Sequence, residues 1–240
     1  MNKNVLILGG NSDIAKACAK TFFAKGCTIT LASRNVTELT NFCEHEKVNA
    51  EIVSFDALDY NTHQSLYNSL STTPQIVICA FGYLVENNES FTNFNEAEKV
   101  IDTNFKGAVS ILNIIAKDFQ EKKQGTIIGI SSVAADRGRA SNLIYGAAKA
   151  GFDAYLSGLR NLMQPSGVKV ITIKPGFVAT KMIAKHPTPS VLTATADETA
   201  KKIYSAYKNN RNIVYSNFKW RLIMLVIQSI PERIFKKLKL

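Results

Sequence analysis

The feature that most constrains this chain is a repeated alternation of short apolar runs with stretches of helical periodicity, and it begins at the N-terminus. Residues 3–8 are an apolar run ended by Gly9-Gly10, and apolar positions at helical spacing follow over residues 14–23. Further strands are expected over residues 28–32, 51–55, 75–80, 126–130, 168–173 and 212–215, with helices between them, the longest over 95–122 and another over 197–208. A strand followed by a helix returns to a parallel neighbour, so the pattern predicts one α/β domain with a doubly wound parallel sheet. The 240 residues suffice for a sizeable core, and no internal repeat, low-complexity tract or linker interrupts them.

Strand, glycine turn and helix is the context in which backbone N–H groups and a helix N-terminus both point at a phosphate. Gly9, Asn11, Ser12, Asp13 and Ile14 are therefore candidate dinucleotide-binding residues. With Gly9 as the first glycine of such a loop, Asp13 and Ala15 stand where the second and third are usual. Ala15 is small enough for the helix to approach the strand. A carboxylate at position 13 would repel a pyrophosphate, so Asp13 is expected to cap the helix and turn away. The second strand ends in Ser33-Arg34 with no acid. An acid there would bind ribose hydroxyls and a base accommodates a 2′-phosphate, so NADP is favoured, with NAD as the alternative.

A second constellation lies in GTIIGISSVAADRGRASNLIYGAAKAG, residues 125–151. It reads as a buried strand, a polar loop opening with Ser131-Ser132, and a helix carrying Tyr145 and Lys149 on one face. A phenol with a pKa of about 10 is a poor acid near neutral pH, and a neighbouring ammonium lowers that value. The spacing alone is weak, since Tyr204/Lys208 and Tyr215/Lys219 share it; neither follows a strand that ends in serine.

With this constellation the chain resembles the short-chain dehydrogenase/reductase family over nearly its whole length. The resemblance implies a Rossmann-type fold in which Tyr145 is the general acid or base. Ser132 would orient a substrate carbonyl, and Lys149 would bind the nicotinamide ribose. Asn104, in IDTNFKG, would hold a water that links Lys149 to solvent. It further implies an adenine contact at Asp56-Ala57 and a close cofactor approach at Ala80 and Gly82. The segment KPGFVAT would place Pro175, Gly176, Val178 and Thr180 past the nicotinamide. Family members assemble as homodimers or homotetramers, which is the expectation here. In CAFG, residues 79–82, the family's usual two asparagines are missing, so a hydrogen bond in the central sheet must be replaced or absent.

Residues 217–240 hold six basic residues against Glu232 alone, half of the formal net charge of +10. The expected division is a catalytic and cofactor-binding domain over residues 1–216 and a basic, apolar helical tail over 217–240. The apolar run 222–230 is far shorter than the about 20 residues that span a bilayer. It suits an interfacial anchor on acidic lipids, or a helix that closes the substrate site or a subunit interface. The tail, FDALD at residues 55–59, and residues 131–151 resemble one subgroup of the family, the reductase components of decaprenylphosphoryl-ribose 2′-epimerase. That likeness implies a polyprenyl-phosphate-linked 2-keto-pentose as substrate and an FAD-dependent oxidase as partner, with an unrelated ketone or a 3-oxoacyl compound as the alternative substrate and a non-catalytic NADP-binding sensor or subunit as the alternative from another class. Arg137 and Arg139, with Lys181, Lys185 and His186 in a flexible lid over 181–195, are candidate cations at the mouth of a site for such a phosphate.

Other classes are disfavoured. The first apolar run is too short for an export signal, so a cytoplasmic protein, peripheral at most on the membrane, is expected. Cys18, Cys27, Cys43 and Cys79 lack metal-ligand or redox spacing, and no metal is expected. Basic residues interleaved with aromatics, as nucleic-acid binding requires, are found only in the tail, so no nucleic acid is expected.

Overall fold

The computed structural model describes residues 3–184 and 188–238. Its elements are β1 (Asn4–Leu8), α1 (Asp13–Phe23), β2 (Thr28–Ser33), α2 (Val36–Glu46), β3 (Ala50–Ser54), α3 (His63–Ser69), β4 (Ile76–Cys79), α4 (Asn87–Thr92), α5 (Phe94–Ile101), α6 (Gly107–Lys122), β5 (Thr126–Ile130), α7 (Leu143–Met163), β6 (Lys169–Lys174), β7 (Phe177–Ala179), β8 (Thr193–Thr195), α8 (Ala196–Lys208), β9 (Ile213–Tyr215), α9 (Phe218–Ser229) and α10 (Glu232–Phe235). Among the described residues, seven strands form a parallel sheet in the order β3-β2-β1-β4-β5-β6-β9. The order grows outward from β1 in both directions, so the loops leaving β1 and β4 diverge and open a crevice at their carboxyl ends.

Both faces of the sheet are covered, which is why its central strands are apolar throughout rather than alternating. Along β1, Val5 and Ile7 face a layer formed by α1 and α8, with Phe22 and Ile203 at its centre. Leu6 and Leu8 face the opposite layer of α6 and α7, where Ile111, Ile115, Phe119, Phe152 and Leu156 pack. Each large apolar side chain buried this way contributes about 1.5–3 kcal/mol. Cys18 and Cys79 belong to these layers as free thiols.

The helix expected over 95–122 is not continuous. A single π-helical turn, Asp102–Lys106, separates α5 from α6 and carries Asn104. Two features in the sequence suit a wide turn here. Asn104 bonds back to the Val100 carbonyl at 2.9 Å, and a Cβ on Gly107 would lie 2.3 Å from the Ala57 carbonyl oxygen.

The lid expected over 181–195 is largely built as structure. Single helical turns cover Lys181–Ile183 and Ser190–Leu192, and β8 pairs in parallel with β7, Phe177 opposite Thr193. Lys185 and His186 lie outside the described residues. The tail is not free either. Trp220 and Met224 of α9 are buried with Val133, against which Phe177, Leu192 and Tyr215 also pack. Among the described residues no helix is long and apolar enough to cross a membrane.

Candidate active site

At the carboxyl ends of β1, β2, β4, β5 and β6 lies a cleft of about 750 Å³. Its floor begins at Gly9, whose N–H and that of Gly10 both donate to the Ala32 carbonyl, at 2.8 and 3.0 Å. Gly9 has φ +83°, and a Cβ there would lie 2.5 Å from the Phe81 backbone nitrogen, so only glycine fits. Asn11, Ser12 and Ile14 line the cleft at the start of α1. Both amide atoms of Asn11 are buried without a hydrogen-bond partner, and Ser12, the N-cap, makes no side-chain capping bond. Polar groups withdrawn from water and unpaired among the described residues suit a polar ligand above them.

Asp13 departs from expectation. It does not cap α1; its Oδ2 accepts the backbone N–H of Lys181 at 2.7 Å. Asp13 still lines the cleft, and its carboxylate ties down the loop after β7. Lys181 also departs, because its ammonium reaches Glu38 at 3.2 Å, the same carboxylate that Lys16 holds at 2.6 Å. Those two lysines, Lys16 foremost, keep the Glu38 carboxyl below the usual range. Lys181 is thus ion-paired to α2 on the β2 side of the cleft.

Ser33 and the exposed Arg34 line the cleft beyond β2, and Asp56 and Ala57 line it beyond β3. Asp56 is held twice: its carboxylate accepts the Leu58 N–H at 3.0 Å, and its carbonyl lies 3.0 Å from His63 Nε2. His63 is fully buried and bonds Ser110 through Nδ1 at 2.9 Å. That role leaves no mark in the sequence, since a lone histidine carries no pattern.

Ser132, Tyr145 and Lys149 line the same cleft. Ser132 leaves β5 in extended conformation, and its Oγ accepts the Ala134 N–H at 3.0 Å. One lone pair is so occupied, and the hydroxyl proton is left to point elsewhere. Lys149 is 4% exposed. Its Nζ donates to the Ile130 carbonyl at 3.1 Å and stands 5.8 Å from the Tyr145 ring centroid. Burial lowers the Lys149 pKa to about 8. Burial also pushes the Tyr145 phenol up to about 12, against a hydrogen bond from Ser132 that lowers it. The ammonium was expected to bring the phenol down; with Lys149 turned to the Ile130 carbonyl, desolvation dominates.

Asn104 lies behind the cleft wall rather than in it, 1% exposed. Its Nδ2 donates to the Tyr83 carbonyl at 2.6 Å and its Oδ1 accepts the Tyr83 N–H at 3.3 Å. With Ala80 N–H donating to the Leu8 carbonyl at 2.9 Å, these bonds hold the turn after β4 that lacks the family's asparagines. Ala80 and Gly82 line the cleft, and a Cβ on Gly82 would lie 2.9 Å from Asn104 Oδ1 and 3.6 Å from Lys149 Nζ.

Pro175, Gly176, Val178 and Thr180 form the remaining wall, and the Val133 N–H donates to the Pro175 carbonyl at 2.9 Å. A Cβ on Gly176 would fall 1.9 Å from Trp220 Nε1. Trp220, not anticipated as a site residue, itself lines the cleft, stacks edge-on with Phe177 and donates to the Leu192 carbonyl at 2.9 Å. A lone tryptophan at the start of an apolar helix was the signal that could have found it.

Arg137 is a correction. Its Nη1 donates to the Ile227 and Ile230 carbonyls, both at 2.6 Å, its Nη2 pairs with Glu232 at 2.9 Å, and its guanidinium lies 3.6 Å from the Phe235 ring centroid. It caps the end of α9 and is unavailable to a substrate. Arg139 does line the cleft.

The chain matches the family model described as short chain dehydrogenase over residues 3–190. An uncharacterized oxidoreductase of Streptomyces coelicolor is 30% identical over 242 residues, covering 98% of this chain and 96% of its own. An uncharacterized oxidoreductase of Mycobacterium tuberculosis is 29% identical over 241 residues, with the same coverage of 98% and 96%. Among solved structures, a short chain dehydrogenase of Burkholderia cenocepacia in complex with NADP superposes with a TM-score of 0.84 at 16% identity, covering 97% of this chain and 94% of its own.

Proposed function

This chain belongs to the short-chain dehydrogenase family, and on that premise we propose that it is an NADP(H)-dependent reductase that converts a ketone to an alcohol. The observation that carries the reading is the convergence of Ser132, Tyr145 and Lys149 on the cleft that begins at the Gly9 turn. The nicotinamide cofactor, when bound, supplies the hydride. Asn11, Ser12 and the first turn of α1 would hold its pyrophosphate, Ser33 and Arg34 its 2′-phosphate, Asp56 and Ala57 its adenine, and Lys149 and Thr180 its nicotinamide half.

The rest of the chemistry belongs to the side chains. Tyr145 gives its phenolic proton to the carbonyl oxygen as negative charge develops there. Ser132, whose Oγ already accepts from Ala134, donates a hydrogen bond to the same oxygen, keeping its own proton, and holds the carbonyl in place. The Lys149 ammonium stabilises the phenolate left behind, and Asn104 fixes the turn that carries Gly82 beside it.

We read the substrate as a phosphorylated or polyprenyl-phosphate-linked keto-sugar, the oxidised product of an FAD-dependent oxidase partner. The resemblance of the tail and of residues 131–151 to the epimerase reductases supports this. So does α9, which sets Phe218, Leu222, Leu225 and Val226 outward beside a cleft walled by Trp220. The test is NADPH consumption with a panel of ketones that includes a polyprenyl-phosphate 2-keto-pentose, run beside Tyr145→Phe. Turnover of the lipid-linked sugar that is lost in the variant supports the reading; NADPH binding with no turnover on any ketone sinks it.

A further inference from the structure

Arg139 sits in the loop between Ser132 and Tyr145 and lines the cleft with both. Its neighbours explain what it is not used for. Arg137 is committed to the end of α9, and Asp136 is taken by the Lys174 ammonium and the Tyr215 hydroxyl. Arg139 forms no ion pair among the described residues, and its Nε is buried without a hydrogen-bond partner. A half-buried guanidinium whose Nε finds no acceptor among the described residues, and whose neighbouring carboxylate Asp136 is already paired with Lys174, is an unfavourable arrangement that a bound anion relieves. Beside it, the Asn142 N–H donates to the Arg139 carbonyl at 3.1 Å, while the Asn142 Oδ1 is likewise buried and unpartnered.

The phosphates of a dinucleotide do not account for this position. They are served by the start of α1 and by Arg34 beyond β2, on other loops of the cleft, whereas Arg139 and Asn142 belong to the loop that carries Ser132. We propose that Arg139 determines substrate specificity by taking an anionic group of the ketone, a phosphate or a carboxylate, while Asn142 accepts a hydroxyl proton beside it. The planar fork of the guanidinium suits either anion in bidentate contact. The proposal rests on the reductase reading and names what that reductase selects.

Three ketones with the same three-carbon skeleton test it: dihydroxyacetone, dihydroxyacetone phosphate and hydroxypyruvate. With the full chain and NADPH, one anionic ketone exceeds dihydroxyacetone in kcat/KM by about 10- to 100-fold, the range a charged hydrogen bond supplies. Whether the phosphate or the carboxylate leads identifies the anion. Arg139→Gln brings the ratio near unity through a higher KM for the anionic ketone, and Arg139→Lys restores part of it; the NADPH dissociation constants of both variants report an intact fold. No preference in the starting protein, or a preference that survives in Arg139→Gln, overturns the proposal. If no ketone is turned over, calorimetric titration of the two anionic ketones into NADP⁺-loaded protein decides. Binding that Arg139→Gln weakens by the same factor upholds the subsite although the reductase reading has failed. Equal binding, or none, removes it.

Discussion

Tyr145 and Lys149 stand one helical turn apart in the cleft wall, Tyr145 half-buried and Lys149 buried, and the protonation of each follows from that desolvation. Replacing Tyr145 with Phe removes the proton donor while leaving the ring in place, so turnover should fall by about 10²- to 10⁴-fold with NADPH affinity retained; steady-state rates beside fluorescence titration check both halves. For Lys149, burial lowers the pKa from 10.5 to about 8. Between those values the unfolded chain binds more protons than the folded one, so this group makes stability rise with pH across that window. Urea unfolding of the protein and of Lys149→Met should therefore show the variant's relative advantage shrinking from pH 8 to pH 10; a constant difference contradicts the assignment. At the other end of the cleft, Arg34→Ala should remove most of the preference for NADPH over NADH, about 10- to 100-fold in affinity, and equal affinities in the starting protein refute the NADP reading. Ser132, Tyr145 and Lys149 were legible because a strand, a loop and a helical turn put them at readable intervals. Arg137 and Lys181 were not. Nothing in a charged side chain's sequence position says whether its partner is a ligand or, as here, the backbone of α9 and the carboxylate of Glu38.

The elements that escaped the sequence are those in which short segments are stabilised by contacts from afar. Strands β7 and β8 hold three residues each, too few to leave a periodicity, and exist because they pair with each other. The π turn at Asn104 interrupts an otherwise periodic helix, visible only as the weak helix formers Asp102, Thr103, Asn104 and Phe105 ahead of Gly107. By contrast, the central strands were legible because a sheet covered on both faces demands uninterrupted Val, Ile and Leu. The approach of α9 is also a long-range contact, and it makes its own prediction. In Gly176→Ala the new methyl would meet Trp220 Nε1 at 1.9 Å, so Trp220 must leave its site. As the protein's single tryptophan, it should report this as a red-shifted emission maximum; an unshifted spectrum means that α9 tolerates the methyl.

For the molecule as a whole, the uneven charge is the feature that the fold leaves unused. The helix α9 buries Trp220 and Met224 but leaves Leu225 and Val226 61% and 64% exposed, between basic residues on both sides in sequence. An apolar face flanked by cations suits an acidic bilayer surface. The measurement is cosedimentation with anionic liposomes, which the double change Leu225→Glu, Val226→Glu should abolish without disturbing the buried side of α9. Sedimentation that persists would assign that face to another surface, such as a second copy of the chain in the expected dimer or tetramer. The expected boundary at residue 217 is less sharp than composition suggested, because the tail's first turn is a wall of the cleft.

The grip of Arg137 on the end of α9 also bears on biosynthesis. The loop that presents Ser132 is anchored, five residues on, to carbonyls of Ile227 and Ile230. During vectorial translation the sheet can assemble as its strands are extruded, but that anchor has nothing to hold until residues 218–235 clear the ribosomal tunnel. Until then the loop that presents Ser132 lacks that anchor, whereas the Gly9 turn at the other end of the cleft, held by the Ala32 carbonyl, needs no residue of the tail.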